Sequence, residues 1–246
     1  LPYVLFGLGS SALFLYGISL LYGLTGTLDL TSVDFSRGIS VADPYLRGFA
    51  LGLFAVGLLF KMSWAPFHPW NPDVIENLPA AWMTWISTAP KLAIAFVGIR
   101  LLPAMPVSFV NELAILAILT LLVGNLGALG QNNTKRLLAY SSIAHGGFLA
   151  MAWFFQPMQA LDAILFYGFL YSIASILVFY LIDEASAEEV TAFSGLGASK
   201  PLPSFFLLTG LVALVGLPPA GTFIAKMTYF SLLWSNYETT SSIGLL

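Results

Sequence analysis

Hydrophobic residues along this chain form seven long continuous runs, separated by polar connectors. A helix needs about 20 apolar residues to cross a hydrocarbon layer of about 30 Å, so runs of this length predict membrane-spanning helices. They cover residues 2–22, 46–64, 79–102, 113–130, 137–155, 161–182 and 204–234. Barrel strands would alternate polar and apolar positions, and these runs do not. The pattern predicts an all-α, polytopic transmembrane helical bundle, with residues 1–246 forming a single membrane domain.

Composition and charge narrow the possible functions. The chain is 58% hydrophobic and 9% charged, whereas about 25% charged residues is usual in soluble domains. Its net charge is −3 and its basic residues are scattered, so we expect the lipid bilayer as a partner and no nucleic acid. Cysteine is absent from the 246 residues, which excludes cysteine-ligated iron–sulfur clusters from them. In a redox enzyme, the electrons would therefore travel through other subunits.

Lysines inside the apolar runs are candidate functional residues. Lys91 lies near the centre of the third run, where an ionised lysine costs about 2.5–3.5 kcal/mol on insertion scales. One alternative is that its ammonium reaches the interface, but the lysine stem spans about 6 Å and the interface lies about 15 Å from the membrane centre. Lys61 lies near the end of the second run, so this alternative applies to it more readily. We expect Lys91 to face protein or water rather than lipid.

Prolines accompany each of these lysines. The last run is too long for one straight crossing and contains Gly-Leu-Pro-Pro at 216–219, seven residues before Lys226, so its helix should be broken there. Lys61 is followed by three prolines at 66, 69 and 72, and Pro90 directly precedes Lys91. Transporters build ion sites from broken helices beside charges. The alternative is that the prolines only end the helices and the lysines cap free carbonyls.

His145 falls centrally in the fifth run, and we interpret it as a proton carrier because imidazole exchanges its proton near neutral pH. A hydrogen-bonded core histidine is the alternative. Burial disfavours the charged form of lysine, so the lysines could also cycle between protonation states. No carboxylate falls at the centre of a run, so we expect an acidic partner from the part of the subunit before residue 1 or from a neighbouring subunit. Four hydroxyl side chains are candidates for holding water: Ser63, Tyr140, Ser141 and Ser142.

Three motifs resemble a known family. Residues 60–74 read Phe-Lys-Met-Ser-Trp-Ala-Pro-Phe-His-Pro-Trp-Asn-Pro-Asp-Val. A second block has Gly-Asn-Leu at 124–126 and Lys-Arg-Leu-Leu-Ala-Tyr-Ser-Ser-Ile-Ala-His at 135–145, and a third has Gly-Leu-Pro-Pro at 216–219, followed by Gly221, Phe223 and Lys226. These motifs resemble the antiporter-like membrane subunits of respiratory complex I, the NADH-quinone oxidoreductase. The first is most similar to subunit N, the bacterial counterpart of mitochondrial subunit 2.

The resemblance implies an inverted-repeat, antiporter-like fold of about 14 helices with one broken helix in each repeat. The chain would then be a central and C-terminal portion, about the sixth to twelfth helices, without the N-terminal helices. Lys61 and Lys226 would be equivalent positions, with Lys91 between them. The family also places residues 67–79 and the loop at Lys135 and Arg136 on the cytoplasmic or matrix side.

The function implied is proton translocation, coupled to quinone reduction elsewhere in the complex, through Lys61, Lys91, His145 and Lys226. No cofactor is expected in this chain; quinone, NADH, FMN and iron–sulfur clusters would belong to partner subunits. The expected partners are other membrane subunits of complex I, including neighbouring antiporter-like subunits. The expected location is the bacterial plasma membrane, with the mitochondrial inner membrane as an alternative. Two rival functions stay open: a subunit of a multisubunit sodium/proton antiporter or membrane-bound hydrogenase, and a non-transporting membrane anchor.

Overall fold

The apolar runs form helices in the computed structural model, which describes residues 2–185 and 188–242. Eleven α-helices and no β-strand occur within these residues. The helices are α1 (Pro2–Thr25), α2 (Val33–Val41), α3 (Pro44–Met62), α4 (Trp70–Glu76), α5 (Ala80–Leu101), α6 (Val107–Leu129), α7 (Thr134–Met151), α8 (Pro157–Ala185), α9 (Leu196–Ser199), α10 (Pro201–Val215) and α11 (Gly221–Ser242). The predicted all-α class is confirmed.

Six helices in the described part of the chain are long and apolar enough to cross a membrane: α1, α3, α5, α6, α7 and α8. The seventh predicted run is divided, as its prolines predict, into α10 and α11. Many large apolar side chains face outward on these helices, including Phe6, Leu129 and Phe205. Such apolar faces suit contact with lipid or with other membrane helices. The helical form also satisfies the backbone N–H and C=O groups, for which the bilayer interior offers no water.

Several predicted boundaries were wrong because hydropathy marks the apolar stretch of a helix and not its ends. Helix α6 begins six residues earlier than predicted, at Val107, and α8 extends four residues earlier and three later, to Pro157 and Ala185. Both starts follow or contain a proline, which suits a first helical turn. Glu112, one residue before its predicted run, lies within α6, and Asp183 and Glu184, just after theirs, lie within α8.

Small residues allow the close approach of neighbouring helices. Helices α1 and α3 each place a glycine against the other helix. A Cβ at Gly17 would clash with the backbone of Phe54, and one at Gly57 would clash with the ring of Phe14. Helices α6 and α7 meet where Gly124 faces the backbone of Ala144. This packing through small residues is typical of membrane helices, where dispersion contacts rather than water exclusion hold helices together.

Ion pairs join three helices at one end of the bundle. On α7, Arg136 contacts Asp73 and Glu76 of α4, each at 2.8 Å, and Lys135 contacts Asp183 of α8 at 2.9 Å. The structure therefore brings the loop before α7 and the segment after α3 to the same end. This agrees with the resemblance, which places both on one side of the membrane.

Candidate functional site

Lys91 of α5 is fully buried, with 0% of its surface exposed. Its Nζ donates a hydrogen bond of 2.5 Å to the carbonyl oxygen of Ser142 on α7 and a second to the Ser142 hydroxyl. The ion pairs among the described residues all involve Lys135 or Arg136, so no carboxylate of this region pairs with Lys91. A buried amine held only by neutral oxygens can give up or take a proton without breaking an ion pair.

His145 lies one turn after Ser142 on α7 and is 3% exposed. Its Nδ1 is 2.7 Å from the hydroxyl of Tyr167 on α8, and its ring stacks on Tyr171 with 4.4 Å between ring centres. Tyr171 donates to the carbonyl of Ser87, one turn before Lys91 on α5. The two tyrosines of α8 thus link the elements that carry Lys91 and His145.

Lys226 shares a cavity of about 230 Å³ with His145; this is called the inner cavity below. The Nζ of Lys226 donates to the carbonyls of Val215 (2.9 Å) and Leu214 (3.4 Å), at the broken end of α10. The inner cavity also contacts Ser141, on the α7 turn that leads toward Lys135. The capping alternative therefore describes the bonds of Lys226, while the shared cavity connects it to His145.

Lys61 is separate from this cluster. It is exposed on α3, with its Nζ 5.9 Å from the ring centre of Phe14. The end of its helix nevertheless adjoins Lys91: a Cβ at Gly146 would lie 3.1 Å from the Met62 carbonyl and 3.6 Å from the Lys91 Cδ. The structure thus brings Lys91, His145 and Lys226 together and leaves the ammonium of Lys61 on an outer face.

Buried polar atoms without partners surround the cluster. Among the described residues, the Ser87 Oγ, the Ser175 Oγ and the Trp64 Nε1 are buried and form no hydrogen bond. Such atoms cost free energy unless water satisfies them, so they mark places for water beside Lys91 and His145.

His68 lies in the turn before α4, and burial lowers the pKa of its imidazole. No group of three or more metal-binding side chains occurs in the part of the chain that the structure describes.

Residues 1–244 match the model of a protein family described as NADH:quinone oxidoreductase/Mrp antiporter, transmembrane. The chain belongs to this family. This membership and the six apolar helices in the described part of the chain make it an integral membrane protein.

Relatives in this family match the chain over about half of their own length. The chain is 40% identical over 233 residues to NADH-quinone oxidoreductase subunit 14 of Thermus thermophilus, covering 94% of this chain and 51% of that protein. It is 36% identical over 239 residues to NADH-quinone oxidoreductase subunit N of Coxiella burnetii, covering 92% and 49%. These relatives are bacterial, and the chain spans about half the length of the relatives it matches.

Solved structures share the fold. A chain of respiratory complex I from Thermus thermophilus with bound aureothin matches with a TM-score of 0.79 and 36% identity, covering 96% of this chain and 52% of that one. An archaeal membrane-bound sulfane sulfur reductase matches with a TM-score of 0.79 and 28% identity, covering 93% and 48%. An Mrp complex from Dietzia, at 23% identity and a TM-score of 0.75, covering 96% and 45%, shares the fold. The resemblance to the antiporter-like subunits and the antiporter-like fold are confirmed.

Sequence reasoning missed two residues of the site, Tyr167 and Tyr171. Both are fully or almost fully buried on α8, at 0% and 1% exposure. Their signal was a spacing of four with Ser175, which places three hydroxyls on one face of a helix. Of the four hydroxyl residues proposed to hold water, Ser142 binds Lys91 directly, and Ser63 accepts a hydrogen bond from Asn71.

Proposed function

We propose that this chain is part of a proton-translocating membrane subunit of an NADH-quinone oxidoreductase of subunit N type. Protons move through Lys91, His145 and Lys226, with Lys61 at the end of α3, and the quinone chemistry takes place in other subunits. The chain forms a single membrane domain without a cofactor of its own. Its partners are neighbouring antiporter-like subunits, and quinone, NADH, FMN and iron–sulfur clusters belong to the rest of the complex, in a bacterial plasma membrane.

One observation carries this proposal: Lys91 is completely buried, bonded to Ser142, and paired with no carboxylate among the described residues. Maintaining an amine at such depth is costly, and a purely structural core would favour an apolar side chain there. The neighbouring His145 and the inner cavity supply a second carrier and space for water. Together they provide the donors, acceptors and hydration that a proton relay needs.

The test is Lys91→Met in the full-length subunit within its native complex, with quinone reduction and proton uptake measured together in sealed vesicles. Lys200→Met is the matched control, because Lys200 is exposed and lies between α9 and α10. With assembly verified, we expect coupled turnover and pumping to fall at least tenfold in Lys91→Met and to stay at the parental level in Lys200→Met. Parental pumping in Lys91→Met would overturn the relay and favour the membrane anchor.

A second candidate function is transport in a sodium/proton antiporter or another respiratory membrane complex. The structural similarity to the sulfane sulfur reductase and to the Mrp complex supports this second candidate. Sodium dependence of proton movement in the same vesicles separates the two. A requirement for Na⁺ would favour the antiporter, and pumping in sodium-free medium favours the NADH-quinone oxidoreductase.

A further inference from the structure

A polar cavity, called the α1–α2 cavity below, lies between the end of α1 and helix α2. Its volume is about 560 Å³, and its polar side chains are Thr25, Thr27, Asp34 and Arg37. Asp34 and Arg37 are three residues apart on α2, and this spacing places them on one face of the helix. The wall of the α1–α2 cavity therefore carries one anionic and one cationic side chain.

Both charges lack a partner of opposite sign within the described part of the chain. Asp34 and Arg37 are exposed, and every ion pair among the described residues involves Lys135 or Arg136. The same cavity is also lined by the last turn of α1, whose carbonyls have no partner within the helix. The C-terminal end of a helix favours a cation. The cavity thus offers a donor for an anion and, beside it, several acceptors for a cation.

The α1–α2 cavity lies at a surface of the membrane. The apolar span of α1 runs from Tyr3 to Thr25, and residues 23–27 at its end line the cavity. Helix α3 begins directly after α2 and ends beside α4, so the cavity lies at the end of the bundle opposite Arg136. Tyrosine is typical of membrane–water interfaces, and apolar side chains there contact acyl chains. Exposed side chains of both kinds surround the cavity: Tyr22, Leu28, Val33, Val41 and Tyr45.

We propose that the α1–α2 cavity binds the headgroup of a membrane phospholipid that carries both a phosphate and a primary ammonium, as phosphatidylethanolamine does. The Arg37 guanidinium donates to the phosphate, and the Asp34 carboxylate and the last carbonyls of α1 accept from the ammonium. A headgroup without an amine would leave Asp34 unpaired, and the quaternary ammonium of choline has no N–H to donate. This inference goes beyond the proposed function and does not rest on it.

Carbodiimide cross-linking tests whether the ammonium lies against Asp34. The complex that contains the full-length subunit is placed in nanodiscs of phosphatidylcholine with a minor share of phosphatidylethanolamine. The carbodiimide activates a carboxylate, the lipid amine attacks it, and an amide forms as a urea leaves. Mass spectrometry of the digested subunit then shows which carboxylate carries the lipid.

We expect Asp34 to carry phosphatidylethanolamine at least tenfold more often than Asp29. Asp29 is the matched control, because it is an exposed aspartate of the same connector but does not line the cavity. Equal labelling of the two aspartates, or no lipid on Asp34, would overturn the site.

Substitution of Arg37 tests the phosphate contact. We expect Arg37→Gln to lower the yield of lipid on Asp34 at least fivefold, and Arg37→Lys to restore most of it because the positive charge is kept. Arg100→Gln is the matched control and should retain the parental yield, since Arg100 is exposed in the last turn of α5, at the same end of the bundle. An equal loss in Arg100→Gln would overturn the role of Arg37.

The reactivity of Asp34 itself is measured with glycinamide, a small soluble amine, in nanodiscs of phosphatidylcholine alone. We expect glycinamide to label Asp34 equally in the parental protein and in Arg37→Gln. An equal fall of both labels in Arg37→Gln would show that Arg37 acts on the carboxylate rather than on the phosphate. Absence of the glycinamide label from the parental protein would show that the cavity is covered in the complex. Either result would overturn the proposal.

Soluble phosphoethanolamine separates a membrane lipid from a free headgroup. We expect it to label Asp34 far less than the lipid does, because a lipid is already concentrated at the surface where the cavity lies. Labelling as frequent as that by the lipid would show that the cavity takes a soluble ligand, and would overturn the lipid as its occupant. None of these measurements depends on proton pumping, so neither outcome of Lys91→Met decides them.

Discussion

The two helix breaks of this molecule share one kind of backbone closure and differ in the side chains that add to it. At the first, α3 ends at Met62 and the following backbone closes it: Ser63 adopts φ 56°, its N–H donates to the Phe60 carbonyl, and the Trp64 N–H donates to the Leu59 carbonyl. At the second, α10 ends before Gly216 at φ 77°, the N–H groups of Gly216 and Leu217 both donate to the Val212 carbonyl, and side chains of α11 also reach back to the end of the helix.

Those side chains decide what each lysine can do. The Lys226 Nζ donates to two carbonyls of α10, and the Thr222 hydroxyl donates to a third, that of Ala213. Lys61 makes no such contribution: at the end of α3 the side-chain donor is the indole of Trp70, which bonds the Phe60 carbonyl. A lysine beside a proline break is therefore part of the helix cap in one half of the chain and free of it in the other.

Replacing the two lysines gives the largest expected contrast. Lys226→Met leaves two carbonyls without a charged donor and should lower the free energy of unfolding by about 2 kcal/mol. Lys61→Met removes no carbonyl partner and should leave thermal stability unchanged. Thermal unfolding of the full-length subunit in detergent measures both, and equal melting temperatures for the two variants would contradict the difference described here.

Both variants should also lower proton pumping if Lys61 and Lys226 belong to the relay. The stability measurement therefore needs the vesicle assay beside it. A Lys61→Met variant with parental stability and parental pumping would remove Lys61 from the relay without affecting Lys91.

Substitutions of the left-handed residue at each break should give a smaller difference in stability. Gly216→Ala forces a side chain into the left-handed region, at a cost of about 1–2 kcal/mol, and its Cβ would also crowd Lys226. Ser63→Gly relieves a left-handed residue but loses the acceptor of the Asn71 amide, so the two effects should nearly cancel. Melting temperatures of the two variants test this, and a larger loss in Ser63→Gly would show that the Asn71 bond dominates the first break.

The smallest effect concerns one hydroxyl. Thr222→Val removes the hydrogen bond to the Ala213 carbonyl and should cost about 1 kcal/mol. Thr209→Val is the control, because the exposed hydroxyl of Thr209 bonds within its own helix, to Phe205. The same unfolding assay should distinguish them, and indistinguishable melting temperatures would mean that the α10–α11 connection does not depend on this bond.

Sequence predicted the helical class, the break before Lys226 and the burial of Lys91 because each follows from local composition. Long apolar runs specify spanning helices, prolines specify breaks, and a lysine far from either interface must be enclosed by protein. The sequence predicted that Lys91 and His145 both take part in proton transfer, but not that they lie close together. Their geometry, through Ser142, became visible in the structure.

The rest depended on long-range packing. Lys61 and Lys226 have comparable neighbours in sequence, and only the placement of α1 beside α3 and of α11 beside α10 makes their surroundings differ. Tyr167 and Tyr171 escaped prediction because no local feature of the sequence shows that His145 faces them. Helix ends also escaped prediction, because charged residues such as Asp183 and Glu184 continue the helix beyond the apolar stretch.

The length of α8 indicates how deep in the membrane Tyr171 and the neighbouring His145 lie. Asp162 and Asp183 are 21 positions apart in the chain, which corresponds to about 32 Å at 1.5 Å per residue, close to the thickness of the hydrocarbon layer. The helix is therefore long enough to cross the hydrocarbon layer with one aspartate near each surface. Tyr171 lies almost midway between them, so a proton at His145 has about half the membrane above it and half below.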